Sequence, residues 1–333
     1  MADAFVSTTG TAVYPGTKGN PTSLTTALGS VNAGDVVYIA PGVYRVQLTM
    51  TRSGTVSQRI RIVGDPTNSQ QISGATGNVV RLTTFQNDIS NPTDTLSPTL
   101  RLNGCSYVDI SGIYFEGRQT SNNYCYRVST GTDITHDRCV FNNAFGSFGI
   151  QIDLSSVNVS FDRCIIPFGT ARVESSTNTT FTRSYLGING IGVATNINAY
   201  NCVLTGYCNQ VSGTTPISYI YNNLVLGGIT GNNSVSATVE DFNFCSSRAN
   251  IPNLGANTRT AGSSSQDWYY SLLNGVGNVP SFAALAGTPM IGAGTTTQGP
   301  SSDMFGRNWI TGRNVGAIAV SYTHLTLPTK RIV

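Results

Sequence analysis

Four positions, at offsets 0, 2, 5 and 7 from a common start, recur along this chain with side chains that are mostly apolar or small. The first three copies are Val108, Ile110, Ile113 and Phe115; Ile134, His136, Cys139 and Phe141; and Val159, Phe161, Cys164 and Ile166. Four more follow: Thr179, Phe181, Ser184 and Leu186; Ile197, Ala199, Cys202 and Leu204; Ser218, Ile220, Asn223 and Val225; and Ala237, Val239, Phe242 and Phe244. The starts lie 18 to 26 residues apart. A constant frame separated by variable gaps is the pattern of a solenoid whose strands are fixed while its loops vary. Offsets 0 and 2 have the period of a strand, and so do 5 and 7. Between them the phase shifts by one residue, as a two-residue turn such as Asp162-Arg163 or Tyr221-Asn222 would require. A third strand precedes each pair, centred on Leu102, Val128, Ile152, Val173, Ile191 and Val211. Three short strands per coil, with coils stacked about 4.8 Å apart, describe an all-β parallel β-helix.

This frame explains the cysteines. The phrases HDRCVF and FDRCII look at first like two copies of a metal or redox site. In the frame, however, Cys139, Cys164 and Cys202 share one inward column with Ile113, Ser184, Asn223 and Phe242, where a free cysteine acts as a small hydrophobe. Stacked coils would hold their Cβ atoms about 4.8 Å apart, farther than the roughly 3.8 Å of a disulfide. No CxxC pair occurs, so no zinc site is indicated. His136 falls in a second inward column with Ile110, Phe161 and Phe181, which makes it a core residue. Asn223 is placed to hydrogen-bond along the stack as amide ladders do.

Composition narrows the class. Only 11 % of the 333 residues are charged and the net charge is +3, with the arginines scattered singly, so neither disorder nor nucleic-acid binding is expected. No apolar run is long enough for a membrane-spanning helix, and MADAFVSTTG does not read as an export signal. From Val320 the chain departs from the style of what precedes it: VSYTHLTLPTKRIV resembles translated sequencing-adapter DNA, and residues 320–333 are set aside as a non-native tail. The expected organisation is an N-terminal cap and first coil over 1–50, β-helix coils over 51–247 and a C-terminal closing segment over 248–319. An open stack exposes a sheet edge at each end. PTSLTTALGSV is a short amphipathic helix suited to cap the N-terminal end, and GDVVYIAPGVY reads as the first strand with its turn.

The order VSTTGTAVYPGTKGNPTSLTTAL…GDVVYIAPGVYR…SGT resembles the start of right-handed parallel β-helix proteins of the pectate-lyase-like superfamily. VPSFAALAGTPMIGAG…DMFGRN…VGAI resembles their closing stretch, so the resemblance covers nearly all of residues 4–318. It implies a right-handed helix. It also implies membership of a group that includes polysaccharide lyases and hydrolases, phage tailspikes and other virion proteins, and cell-surface adhesins. Fold alone does not choose among these.

The resemblance further implies that carbohydrate lies along an outward strand face. The third strand supplies a column of outward pairs there: Arg101 and Asn103, Arg127 and Ser129, Gln151 and Asp153, Arg172 and Glu174, Gly190 and Gly192, Gln210 and Ser212. The expected ligand-binding residues are Arg101, Arg127, Gln151, Asp153, Arg172 and Glu174. If the chain were an enzyme, Asp153 and Glu174 would stand one coil apart, near the roughly 5 Å of retaining glycosidases, with Arg172 orienting an acidic sugar. The alternative reading of these charges is ordinary pairing on a solvated face. The turn pairs Asp137-Arg138, Asp162-Arg163 and Thr182-Arg183 form a second charged strip, read as structural.

The lyases of the superfamily commonly use a lysine or arginine base with calcium held by clustered carboxylates. Here Lys18 is distant and the acids are spread thinly. The preferred reading is therefore a non-catalytic virion surface protein, tailspike-like or capsid-decorating, that contacts a surface polysaccharide and other virion proteins. It would carry no cofactor, bind neither nucleic acid nor membrane, and could form a homotrimer. A polysaccharide lyase or glycoside hydrolase is the alternative, with calcium only in the lyase case. A bacterial surface adhesin is the third.

Overall fold

A computed structural model describes residues 3–84, 98–117, 124–143, 148–153, 155–168, 170–174, 176–187, 191–194, 197–204, 207–210, 218–225, 228–230, 238–245, 248–249, 253–254, 256, 259–260 and 294–309. Three parallel sheets of eleven, ten and nine strands stack coil upon coil. Offsets 0 and 2 lie in the eleven-stranded sheet: Ile134 stands opposite Val108 and Val159, and His136 opposite Ile110 and Phe161. Offset 7 lies in the ten-stranded sheet, where Phe141 faces Phe115 and Leu186 faces Ile166. The preceding strands form the nine-stranded sheet, with Leu102, Val128 and Ile152 in one inward row. These columns are buried and make one continuous core.

The one-residue phase shift has a backbone cause. Gly112, Arg138, Arg163, Arg183, Asn201, Asn222 and Phe242 all have φ between 48° and 68°. Each marks a corner between strands, so one left-handed residue per coil turns the chain from the eleven-stranded sheet into the next. Glycine and asparagine tolerate that region, whereas other residues lose about 1 kcal/mol or more there. The arginines recover part of this cost through ion pairs between coils: Arg163 Nε to Asp137 Oδ1 at 2.7 Å and Arg183 Nε to Asp162 Oδ1 at 2.7 Å.

The corner also explains the next column. At offset 5 the side chain serves the backbone that the corner leaves open. Ser184 Oγ accepts from Cys164 N at 3.0 Å, Asn223 Oδ1 from Cys202 N at 2.8 Å and Asn243 Oδ1 from Asn223 N at 2.9 Å. The thiols of Cys164 and Cys202 lie 3.3 and 3.5 Å from the carbonyls two residues back, as Ser184 Oγ does from Thr182 O at 2.7 Å. Cysteine, serine and asparagine share the column because each is small and can donate. Cys105, Cys125, Cys139, Cys164 and Cys202 are buried and unbridged. Burial pushes thiols up, Cys105 to about 11 and Cys202 to about 12, so these two are inert at neutral pH.

Several expectations shift. The seventh copy slips by one residue: Thr238 stands opposite Ser218 and Asn243 continues the amide ladder, while Phe242 is the left-handed corner residue rather than core. Apolar character at Val239 and Phe242 suggests the other phase, but the corner sets the register. A strand over Asp3–Thr11 precedes the expected first strand and pairs in parallel with Val36–Ile39. Paired strands continue to Arg259–Thr260, beyond the boundary expected at 247. The capping helix is Leu24–Ser30, with Ser23 Oγ accepting from Thr26 N at 3.2 Å and with Leu24, Ala27 and Leu28 buried. Residues 320–333, Gly190, Val211 and Ser212 lie outside the described residues.

Rings run through the core. His136 stacks on Phe161 at 4.3 Å, and Phe161 on Phe181 at 5.0 Å. Because Ser160 O can only accept, His136 Nδ1 donates to it at 2.9 Å, and Nε2 accepts from Tyr126 Oη at 2.7 Å. Burial lowers the imidazole pKa from 6.5 to about 4. The unfolded chain therefore binds a proton that the folded one refuses between those values. Stability present above about pH 6.5 declines toward pH 4, at no more than about 1.4 kcal/mol per pH unit from this group. His136→Phe should flatten that slope, whatever its own stability, in denaturant melts between about pH 7 and 4.5. In the same assay Phe161→Ala should cost about 3–5 kcal/mol. Arg138→Ala, at a side chain 66 % exposed, should cost under about 1 kcal/mol.

Candidate functional site

The outward face of the nine-stranded sheet carries the expected stripe. Thr49, Arg101, Arg127, Gln151, Arg172 and Gly192 stand in one row across successive strands, and Asn103, Ser129 and Asp153 in the next outward row. Gly192 thus aligns with Arg172 and not with Glu174, a two-residue slip from the expected pairing. A slip of two keeps the same face outward, so alternation alone could not detect it. Gln210 lies in the strand Tyr207–Gln210, paired to Ala194 across an irregular register.

The face is less solvated than its charges suggest. Ser129, Gln151 and Asp153 are buried although they point away from the core. Two aromatic side chains absent from the sequence-derived stripe lie against its arginines. The Arg127 guanidinium lies 5.3 Å from the Tyr124 ring centre and donates to Tyr124 Oη at 2.9 Å; that of Arg172 lies 4.8 Å from the Phe148 ring centre. Tyr124 and Phe148 each stand three residues before a stripe position, Arg127 and Gln151.

Both acids of the stripe are ion-paired. Glu174 N donates to Ile152 O at 2.7 Å, which places Glu174 beside Asp153 in the stack. Asp153 Oδ2 is bound by Arg127 Nη2, while Glu174 accepts from Arg172 Nη2 and, at 3.1 Å, from Gln151 Nε2. Arg127 engages Asp153 through Oδ2 alone, and both Glu174 oxygens are engaged, Oε1 by Arg172 and Oε2 by Gln151. These guanidiniums also oppose calcium, and among the described residues no cluster of three or more His, Cys, Asp or Glu is placed to hold a metal ion. Arg101 differs from its neighbours. Its contact is to Asn103 Oδ1 at 3.3 Å, and among the described residues it has no carboxylate partner.

Six buried polar atoms on this one face lack a hydrogen-bond partner: Arg101 Nε, Arg127 Nε, Ser129 Oγ, Gln151 Oε1, Asp153 Oδ1 and Arg172 Nε. Such atoms are costly unless something supplies the missing bonds. Here they mix donors with acceptors. The pairing also gives the arginines unequal structural weight. Arg127→Ala would strand the nearly buried Asp153 carboxylate and should lower stability by about 2–3 kcal/mol, between the values for exposed and buried pairs. Arg101→Ala should change it by under about 1 kcal/mol. Denaturant melts of both variants check this.

The coils superpose on the crystal structure of pectate lyase Pel9A with a TM-score of 0.52 at 13 % identity, covering 96 % of this chain and 97 % of that one. A GH136 lacto-N-biosidase from Eubacterium ramulus gives a TM-score of 0.44 at 13 % identity, covering 73 % of this chain and 56 % of that one. A rhamnogalacturonan lyase gives 0.43 at 13 % identity, covering 82 % and 92 %. At such identities the likeness to Pel9A concerns the fold. Comparison with curated proteins gives no match. Residues 4–208 match the family described as Pel9A-like, right handed beta helix region. With that match spanning more than half of its length and three parallel sheets wound as a solenoid, the chain belongs to the Pel9A-like right-handed β-helix family.

Proposed function

We propose that this protein binds an acidic polysaccharide along the outward face of the nine-stranded sheet and does not cleave it. The observation that carries this reading is the row of arginines on one outward face, flanked by the rings of Tyr124 and Phe148, in which Arg101 has no carboxylate partner among the described residues. Arg101 and the exposed edges of Arg127 and Arg172 supply charge and donors for carboxylates, and the rings of Tyr124 and Phe148 supply apolar surface for the sugar faces. The fold is one that pectate lyase Pel9A also uses. A virion-surface setting, virion protein partners and a trimeric state attach to this proposal through the sequence alone.

A second reading, a polysaccharide lyase, is favoured by family membership. Against it, both stripe carboxylates are already engaged by arginines and the described residues form no calcium cluster. One experiment separates the two. The protein is applied to immobilised polygalacturonate and, in parallel, incubated with the soluble polymer with and without calcium. Retention that weakens as salt rises, falls several-fold in Arg101→Ala, and is accompanied by no unsaturated-uronate absorbance and no new reducing ends is the expected result. Turnover lost in Asp153→Asn or Glu174→Gln would replace binding with catalysis as the function.

A further inference from the structure

Residues 294–309 lie along the outside of the coils rather than across their end. Asn222 Oδ1 accepts from Thr295 N at 2.7 Å, its Nδ2 donates to Thr295 O and Gln298 O at 3.1 Å each, and Arg183 Nη1 donates to Ser302 Oγ at 2.6 Å. Asn222 and Arg183 are corner residues of coils two apart, so this strap runs back over the corner column toward Arg163 and Arg138. It ends in a tight turn. The fully buried Asp303 accepts from Phe305 N at 2.9 Å, Arg307 N at 2.8 Å and Arg307 Nε at 2.7 Å, and Gly306 takes φ 80°. The turn holds Met304 and Phe305 at its tip, with Phe305 65 % exposed although it is large and apolar.

Between that tip and the corner column lies a cavity of about 340 Å³, lined among the described residues by Arg138, Cys139, Val140, Arg163, Ile165, Met304 and Phe305. The size is at the small end of ligand pockets. Its charge is unbalanced. Arg138 and Arg163 share one carboxylate, Asp137, while Asp162 is bound mainly by Arg183. The Asp137 contacts use Nε and Nη2 of both arginines and leave each Nη1 unengaged by a described residue. Three guanidiniums against two carboxylates leave one positive charge beside an apolar wall, an arrangement that attracts an anion and buries an apolar body.

We propose that this cavity binds a small organic carboxylate carried on an apolar or aromatic body, with the carboxylate on Arg138 and Arg163 and the body against Met304, Phe305 and Ile165. The site is separate from the stripe and does not rest on it. The test is a ligand-observed NMR titration of the full chain with phenylacetate and with phenylacetamide, its uncharged isostere. Expected are saturable phenylacetate binding that weakens with salt, about tenfold weaker binding of the amide, and a loss of about tenfold in each of Arg138→Gln and Phe305→Ala. Both substituted side chains are largely exposed, and the amide comparison on the unsubstituted protein holds even if a variant fails to fold. Absence of saturable phenylacetate binding, equal binding of the amide, or wild-type binding in both folded variants would each overturn the proposal. Polygalacturonate retention is read separately, so either reading can fail without the other.

Discussion

The left-handed corner residue at the exit of the eleven-stranded sheet governs this molecule. It ends the strand of the eleven-stranded sheet and sends the chain into the ten-stranded sheet, and it exposes a backbone N–H and a carbonyl to the interior. Buried backbone groups must be paired. After Gly112 the following residue is Ile113, and in the later coils, from Cys139 to Asn243, it is cysteine, serine or asparagine. A column that resembles a redox site in one dimension is a means of closing backbone hydrogen bonds in three.

The same repetition shapes the exterior. Parallel stacking places equivalent residues of successive coils side by side, so a charge at one outward position meets its equivalent about 4.8 Å away. Acid and base therefore pair between coils, as in the Asp137–Arg163 and Asp162–Arg183 contacts of the corner column. On the nine-stranded sheet the pairing is incomplete. Arg101 has no carboxylate among the described residues, and polar atoms beside it are buried without partners. A surface built to neutralise itself leaves one face unfinished, and the proposed polysaccharide binding rests on that departure.

Solenoids bury their core in layers, so each coil is supported by its neighbours and side surfaces are open to additions. The strap over residues 294–309 uses that freedom. It is anchored at Asn222 and Arg183 and sets an apolar tip against a polar column, creating a concavity beside the coils.

The sequence by itself determined the coil frame, the inward identity of His136, Phe161, Cys139 and Cys164, the capping helix and the row of Arg101, Arg127, Gln151 and Arg172. All of these follow from local periodicity, which a repeated short strand writes directly into the order of side chains. Three matters were decided only by tertiary structure. The register of the coils at Gly192 and Thr238 is fixed by pairing with the neighbouring coil, and both slips leave a plausible apolar pattern behind. The fate of Asp153 and Glu174 depends on where the guanidiniums of Arg127 and Arg172 reach, which spacing along the chain does not encode. The strap meets corners some 70 to 120 residues earlier in the chain, and a contact between segments so far apart carries no periodic signal, since it is fixed by packing in space rather than by neighbours in sequence.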